Sequence, residues 1–211
     1  EIGVRLVGSE MCIRDRMDIS GVKTNIVKPI QDVLREDLEL LSIHPMCGRE
    51  SRGIEFSDET IFKGSNFILV PTQKNKNETV EAVKELANKM EFGRICTLSI
   101  EEHDKMIGFL SQLTHVIAVS LMNTHDNAHL VEYTGDSFRD LTRIAKINED
   151  LWTELFIMNK DILLDEINQF IDSISHFRDS LEQEDTQEMK RLFIQSTKRR
   201  DKFNKTDAKK R

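Results

Sequence analysis

The run His44-Pro45-Met46-Cys47-Gly48-Arg49-Glu50 places an imidazole directly before a proline. A residue in that position is driven out of the helical region into extended backbone. The preceding Leu38-Glu39-Leu40-Leu41-Ser42-Ile43 is apolar and of strand length, which predicts His44 at a strand end. Ligands of open α/β sheets bind outside the carboxyl ends of strands, and an imidazole held there suits acid–base chemistry near neutral pH. The plainer alternative is a turn histidine bonded to backbone. Ser111 and His115 sit at i,i+4 spacing with Gly108 and Ala118 on nearly the same face, which leaves room for a ligand or a closely packed helix. Their alternative is a core histidine bonded to its neighbour. Arg139 and Arg143 share the same spacing in the opening turns of a helix capped by Asp136 or Ser137. There they oppose the helix dipole unless a bound anion compensates. Surface pairs with Asp136 and Asp140 would serve equally. His103 and Asp104 read as capping, solvated residues of a first helical turn, and Trp152 as a core or interface aromatic.

The elements that must position these residues fall into two halves. A short segment ending near Ile19, a turn at Ser20-Gly21 and a helix from Lys23 to Leu34 precede the strand 38–43. Phe67 to Val70 reads as a strand stopped by Pro71, and Glu78 to Met90 as a helix with Val80, Val83, Leu86, Ala87 and Met90 on one side. Ile95 to Leu98 makes a last strand, so this half is α/β with a parallel or mixed sheet. From Ser99 onward only helices are predicted. Ser99-x-x-Glu102 is a capping box opening a helix to Met122 that is apolar nearly all round and should be buried on most sides. Further helices follow near 136–146, 148–158, 160–182 and 186–202. In the third of these, Leu163, Ile167, Phe170, Ile174, Phe177 and Leu181 form a coiled-coil-like seam. So many apolar faces on 211 residues point to pairing with a second copy.

Composition bounds the function classes. A hydrophobic share of 38% supports a core, and no apolar run approaches the roughly 18 residues of a membrane span. Cys12, Cys47 and Cys96 have no metal-ligand spacing, which favours a reducing cytoplasm over a disulfide scaffold or zinc site. The net charge of −7 hides a basic stretch, 198–211, with eight Lys and Arg against two Asp. It reads as a solvated terminus, and no basic, aromatic-interleaved patch argues for nucleic acid. No G-x-G-x-x-G is present, and Gly48 to Gly53 lacks the Lys-Ser/Thr of a phosphate loop. Residues 1–16 lack an initiator Met and a clear period and read as a non-native leader.

Taken in order, His44-Pro45-Met46-x-Gly48-x-Glu50, Ser99-x-Glu101-Glu102-His103-Asp104, Ser111-Gln112-Leu113-Thr114-His115 and Phe138-Arg139-Asp140-Leu141-Thr142-Arg143-Ile144-Ala145, with Trp152, resemble the prephenate dehydrogenase family of tyrosine biosynthesis. The resemblance runs from Met17 to about Arg200. It implies an α/β remnant of a Rossmann-like nucleotide-binding domain over 17–98 and an all-α helical dimerisation domain over 99–203, with a basic tail over 204–211. It further implies a homodimer that oxidatively decarboxylates prephenate, or arogenate, with NAD or NADP. His44 would take the ring-hydroxyl proton and Arg143 would clamp a substrate carboxylate. Arg139, Ser111, His115 and Trp152 would line the pocket, with Glu50 and Asp140 as supporting or gating groups. The family's Asp-x-Gly-Ser-Val-Lys turn reads here as Asp18-Ile19-Ser20-Gly21-Val22-Lys23, so Ser20 and Gly21 stand where that turn meets the cofactor. The family's glycine-rich loop precedes Met17, so the resemblance implies a truncated chain that neither binds NAD(P) tightly nor turns over alone. The choices between NAD and NADP and between prephenate and arogenate stay open, as does feedback by tyrosine. A competing expectation is a non-catalytic dimerisation or sensing module, with Arg143 and His115 binding an aromatic carboxylate such as tyrosine.

Overall fold

The computed structural model describes residues 15–48, 53–126 and 128–207. Glu50 lies outside them, as does most of the leader segment 1–16. The chain divides into two compact units, 1–163 and 164–211. The first takes in both sides of the change of pattern at Leu98.

In the first unit, β1 (Asp15–Asp18) leads into α1 (Thr24–Val33) and β2 (Glu39–Met46). Two single 3-10 turns, Ile54–Phe56 and Glu59–Phe62, then connect to β3 (Asn66–Val70), α2 (Asn77–Lys89) and β4 (Arg94–Thr97). The sheet order is β1-β2-β3-β4. β1 runs parallel to β2, β2 antiparallel to β3, and β3 parallel to β4. The mixed sheet follows from the connections: helices carry the two parallel crossovers, whereas β2 and β3 are joined without one.

The apolar residues of β2 and β3 pack against α2. Leu41, Ile43, Phe67 and Leu69 meet Val83 and Ala87 there, closed off by Phe92. Val80 and Met90 pack at the edge of this core, but Leu86 is exposed, so the buried stripe of α2 is narrower than its sequence suggests. The turn after α2 is tight. A Cβ on Gly93 would lie 2.5 Å from the Gly64 carbonyl oxygen, and Gly64 itself has φ +74°. Gly93→Ala forces backbone against backbone and is expected to cost about 1–3 kcal/mol, read as a lower urea midpoint at unchanged slope.

β2 corrects one expectation. The strand does not end at Ile43 but continues through His44-Pro45-Met46, because β3 pairs with it from Ser42↔Val70 to Met46↔Asn66. β1 stops earlier, at Asp18↔Ser42. Among the described residues the strand therefore has a neighbour on one side only beyond Ser42, where a proline is tolerated.

The helical stretch from Ile100 to Met122 comprises α3 (Ile100–Ile107), a π-helical segment Gly108–Leu113 and α4 (Thr114–Met122). The predicted capping box is present: Ser99 accepts from the Glu102 amide while Glu102 accepts from the Ser99 amide. The stretch is long and apolar enough to cross a membrane by length and composition, against the expectation from sequence. Its inner face nevertheless buries His103, Asp104 and Gln112, all hydrogen-bonded within the chain, as a core helix does. It is also less covered than its apolar content suggests, since Phe109, Leu110 and Met122 remain exposed.

α5 (Asp136–Thr142) follows, then a 3-10 turn at Arg143–Ala145 and α6 (Glu149–Met158). The residue capping α5 is Gly135, not Asp136 or Ser137, and no side chain completes that cap. α7 (Lys160–Glu182) starts in the first unit and continues into the second, where α8 (Thr186–Asp207) follows. Within the second unit Glu184 turns the chain with φ 52°, and the Asp185 carboxylate caps α8 through the Gln187 and Glu188 amides. Phe177 meets Phe193 at a ring separation of 6.0 Å. Ile174, Leu181, Phe193 and Ile194 stay more than half exposed.

Candidate active site

The expected strand-end histidine sits instead in the half-open part of β2 and faces α3. His44 Nδ1 lies 2.9 Å from His103 Nε2, and His103 Nδ1 lies 2.8 Å from an Asp104 carboxylate oxygen. His103 and Asp104 are both fully buried, which corrects their reading as solvated residues of a helix start. Their place follows from helical spacing. Counting from the Ser99 cap, they share a face with Ile107 and Gly108, which are also buried.

Asp104 is held in turn by the start of α1. The Lys23 and Thr24 amides donate to its carboxylate at 2.9 and 2.8 Å, and the Thr24 hydroxyl donates at 2.6 Å. α1 has no side-chain cap of its own, so a carboxylate from α3 occupies its positive end. Burial disfavours the Asp104 charge, but these donors and His103 outweigh it and hold the carboxyl below its ordinary range.

A second, partly buried carboxylate stands at the end of β1. Asp18 accepts from Lys23 Nζ at 2.9 Å, from the Ser42 hydroxyl at 2.7 Å and from the Ser20 amide at 2.9 Å. Lys23 is fully buried, and its ammonium also donates to the Ile43 carbonyl at 2.7 Å, one residue before His44. Burial lowers the Lys23 pKa, opposed by Asp18. His44 is pushed down to about 3, chiefly by burial and then by His103 and Lys23, against the pull of Asp18 and Asp104. It is a neutral imidazole across the physiological range.

The turn residues expected near a cofactor are present but engaged. The Ser20 hydroxyl lies 2.9 Å from both the Asp18 carboxylate and the Val22 carbonyl, closing the turn inward. Gly21 lies against α6: a Cβ there would come within 3.2 Å of a Leu155 methyl.

Ser111, His115 and Trp152 do form one cluster. His115 Nδ1 donates to the Ser111 carbonyl at 2.8 Å, so the partner is backbone rather than hydroxyl. The His115 ring lies over Trp152 at 3.7 Å between centroids and an angle of 30°, and Phe156 meets Trp152 edge-on. The turn at Arg143–Ala145 packs on α4, the helix that carries His115. Arg139 lies elsewhere, in a cleft with Leu121, Met122, His125, Leu130 and Phe138. Asp140 is exposed on α5.

Comparison with known proteins gives the same answer from two sides. Residues 6–95 match the model of the prephenate dehydrogenase nucleotide-binding domain, and residues 99–195 match the prephenate dehydrogenase dimerization domain. The chain belongs to the prephenate dehydrogenase family. It is 32% identical to prephenate dehydrogenase of Bacillus subtilis over 83% of this chain and 48% of that protein. Identity to cyclohexadienyl dehydrogenase of Zymomonas mobilis is 27%, over 87% of this chain and 64% of that one. The crystal structure of prephenate dehydrogenase from A. aeolicus, in complex with hydroxyphenyl propionate and NAD+, superposes with a TM-score of 0.76 at 28% identity, covering 87% of this chain and 65% of that chain. The chain thus spans about half to two thirds of the length of these relatives.

Proposed function

We propose that this chain carries the proton-accepting part of a prephenate dehydrogenase, which oxidises and decarboxylates prephenate to 4-hydroxyphenylpyruvate. The observation that carries the reading is His44, half-buried, neutral and backed by a second imidazole and a carboxylate. The side chains around it hold or move protons, and none of them can accept a hydride. The site therefore fits an adjoining NAD or NADP, which Ser20 and Gly21 at the β1–α1 turn would meet. That cofactor supplies the hydride acceptor.

The chain's own residues do the rest. The ring hydroxyl of the substrate donates to His44. As the carbon bearing it loses hydride, that oxygen becomes a protonated carbonyl, a far stronger acid than imidazolium. Even a histidine whose pKa lies near 3 then takes its proton. Arg143 binds a substrate carboxylate, while His115 and Trp152 offer a ring stack to the substrate's flank. Arg139 and Asp140 stand on α5, Arg139 in its own cleft with Leu121 and Phe138. Arogenate, which differs at the side-chain carbonyl and not at the reacting ring, is the alternative substrate.

The test is reduction of NAD and of NADP with prephenate or arogenate by the protein carrying this chain, followed by nicotinamide absorbance. His44→Asn is expected to lower kcat by about 10²–10⁴-fold with a folded chain. Unchanged turnover in that variant, or no oxidation of either substrate by the parent, overturns the assignment.

The uncovered apolar residues on α7 and α8, together with the dimerization-domain match, support a homodimer. Sedimentation equilibrium is expected to give twice the chain mass, and Phe193→Glu to shift the population toward monomer.

A further inference from the structure

We propose that His103 and Asp104 are positioning residues that lock His44 in its Nδ1–H tautomer, so that Nε2 is left as the proton acceptor. The proposal rests on the reading of His44 as the base and names what fixes its polarity. The argument is one of donor and acceptor count. Asp104 receives two backbone amides and the Thr24 hydroxyl, so its oxygens act as acceptors. His103 Nδ1, 2.8 Å from one of those oxygens, must then carry the proton. With its one proton on Nδ1, the His103 imidazole presents a bare Nε2, and His44 Nδ1, 2.9 Å away, donates to it. His44 Nε2 is left without a proton, turned into an acceptor by a chain of three side chains.

The arrangement is anchored at both ends. Asp104 is fixed by the first amides of α1, and its own backbone carbonyl accepts from the buried Asn159 side chain at 3.1 Å. Asn159 also donates to Gln112 at 2.7 Å, which ties the relay to the π-helical segment. Lys23 and Asp18 are the other charged groups facing His44, and they neutralise one another at 2.9 Å. A carboxylate, rather than an amide, is required at position 104. An amide nitrogen turned toward His103 would reverse every donor in the series and leave His44 with Nε2–H, unable to accept the substrate's proton.

Tautomers are read directly by long-range nitrogen–proton correlation spectra of the histidine-labelled chain at neutral pH, assigned with His44→Gln and His103→Gln. The expected result is Nδ1–H on both His44 and His103, with Asp104→Asn converting His44 toward Nε2–H. His44 with Nε2–H in the unaltered chain, or a doubly protonated His103, overturns the proposal. The unaltered spectrum decides even if Asp104→Asn does not fold. No substrate is needed, so failure of the prephenate assignment and failure of the relay are separable. Where turnover is measured, Asp104→Asn is expected to reduce kcat about 10²–10⁴-fold while KM changes little, and an unchanged kcat counts against the relay.

Discussion

Lowering the pH from 7 to about 4 is expected to remove roughly 3 kcal/mol of folding stability through His44 alone, approaching about 5 kcal/mol at more acid pH. The folded chain keeps this imidazole neutral down to about 3, whereas the unfolded chain protonates it near the ordinary 6.5. Between those values the unfolded state binds the extra proton, so stability falls as pH falls. The cause is burial first, then the nearby His103 and Lys23, with Asp18 and Asp104 pulling the other way. Asp18 and Asp104 behave differently. Their folded pKa values lie below the ordinary 3.8, so what they contribute is present above that value and is lost only at lower pH. Urea titrations at pH 7, 5.5, 4 and below 3 separate these contributions. His44→Gln should flatten the curve between pH 6.5 and 4 and leave the more acid fall in place, whereas an identical slope in that variant would refute the assignment.

Lys23→Met is expected to cost about 3–5 kcal/mol, the usual penalty for removing one partner of a buried ion pair. Methionine matches the length of the stem and fills its space, so packing is not the main loss. What goes is the ammonium that donates to Asp18 and to the Ile43 carbonyl. The hydroxyl of Ser42 and the amide and hydroxyl of Ser20 remain on Asp18 but leave a net negative charge in a partly buried site. The Asp18 pKa should rise in the variant. Adding Asp18→Leu should recover part of the loss, because the cost lies in the unpaired charge, and chemical denaturation of the single and double variants gives the coupling energy.

The sequence pattern carries further for single elements than for their pairing. The proline rule identifies His44 and places it in extended backbone, and that holds. Its position within the strand is set by β3, whose first residue, Asn66, lies opposite Met46. No local pattern shows where a partner twenty residues away begins. The Ser99–Glu102 box fixes the start of α3, and the same counting could have turned His103 and Asp104 inward, since Ile107 lies four residues beyond His103. Their polarity argued for solvent. What reverses that is Asp104 meeting two amides at the start of α1, some 80 residues away in the chain. Ser111, His115 and Trp152 converge as expected, but Ser111 contributes its carbonyl to His115. Arg139 and Arg143 share the i,i+4 spacing, but the helix ends between them, with Arg139 in a cleft beside Leu121 and Phe138 and Arg143 opening a 3-10 turn.

The early stop of β1 at Asp18 frees the chain to turn at Ser20 into α1. His44 stands two residues past the last rung that β1 shares with β2, so the sheet itself has a missing corner beside the imidazole. Pairing Ile19 and Ser20 onto β2 would complete the ladder, but it would undo the turn in which the Ser20 amide and hydroxyl hold Asp18. The short strand and the tautomer of His44 are thus linked: the rungs given up by β1 let the chain turn back so that the first amides of α1 reach Asp104.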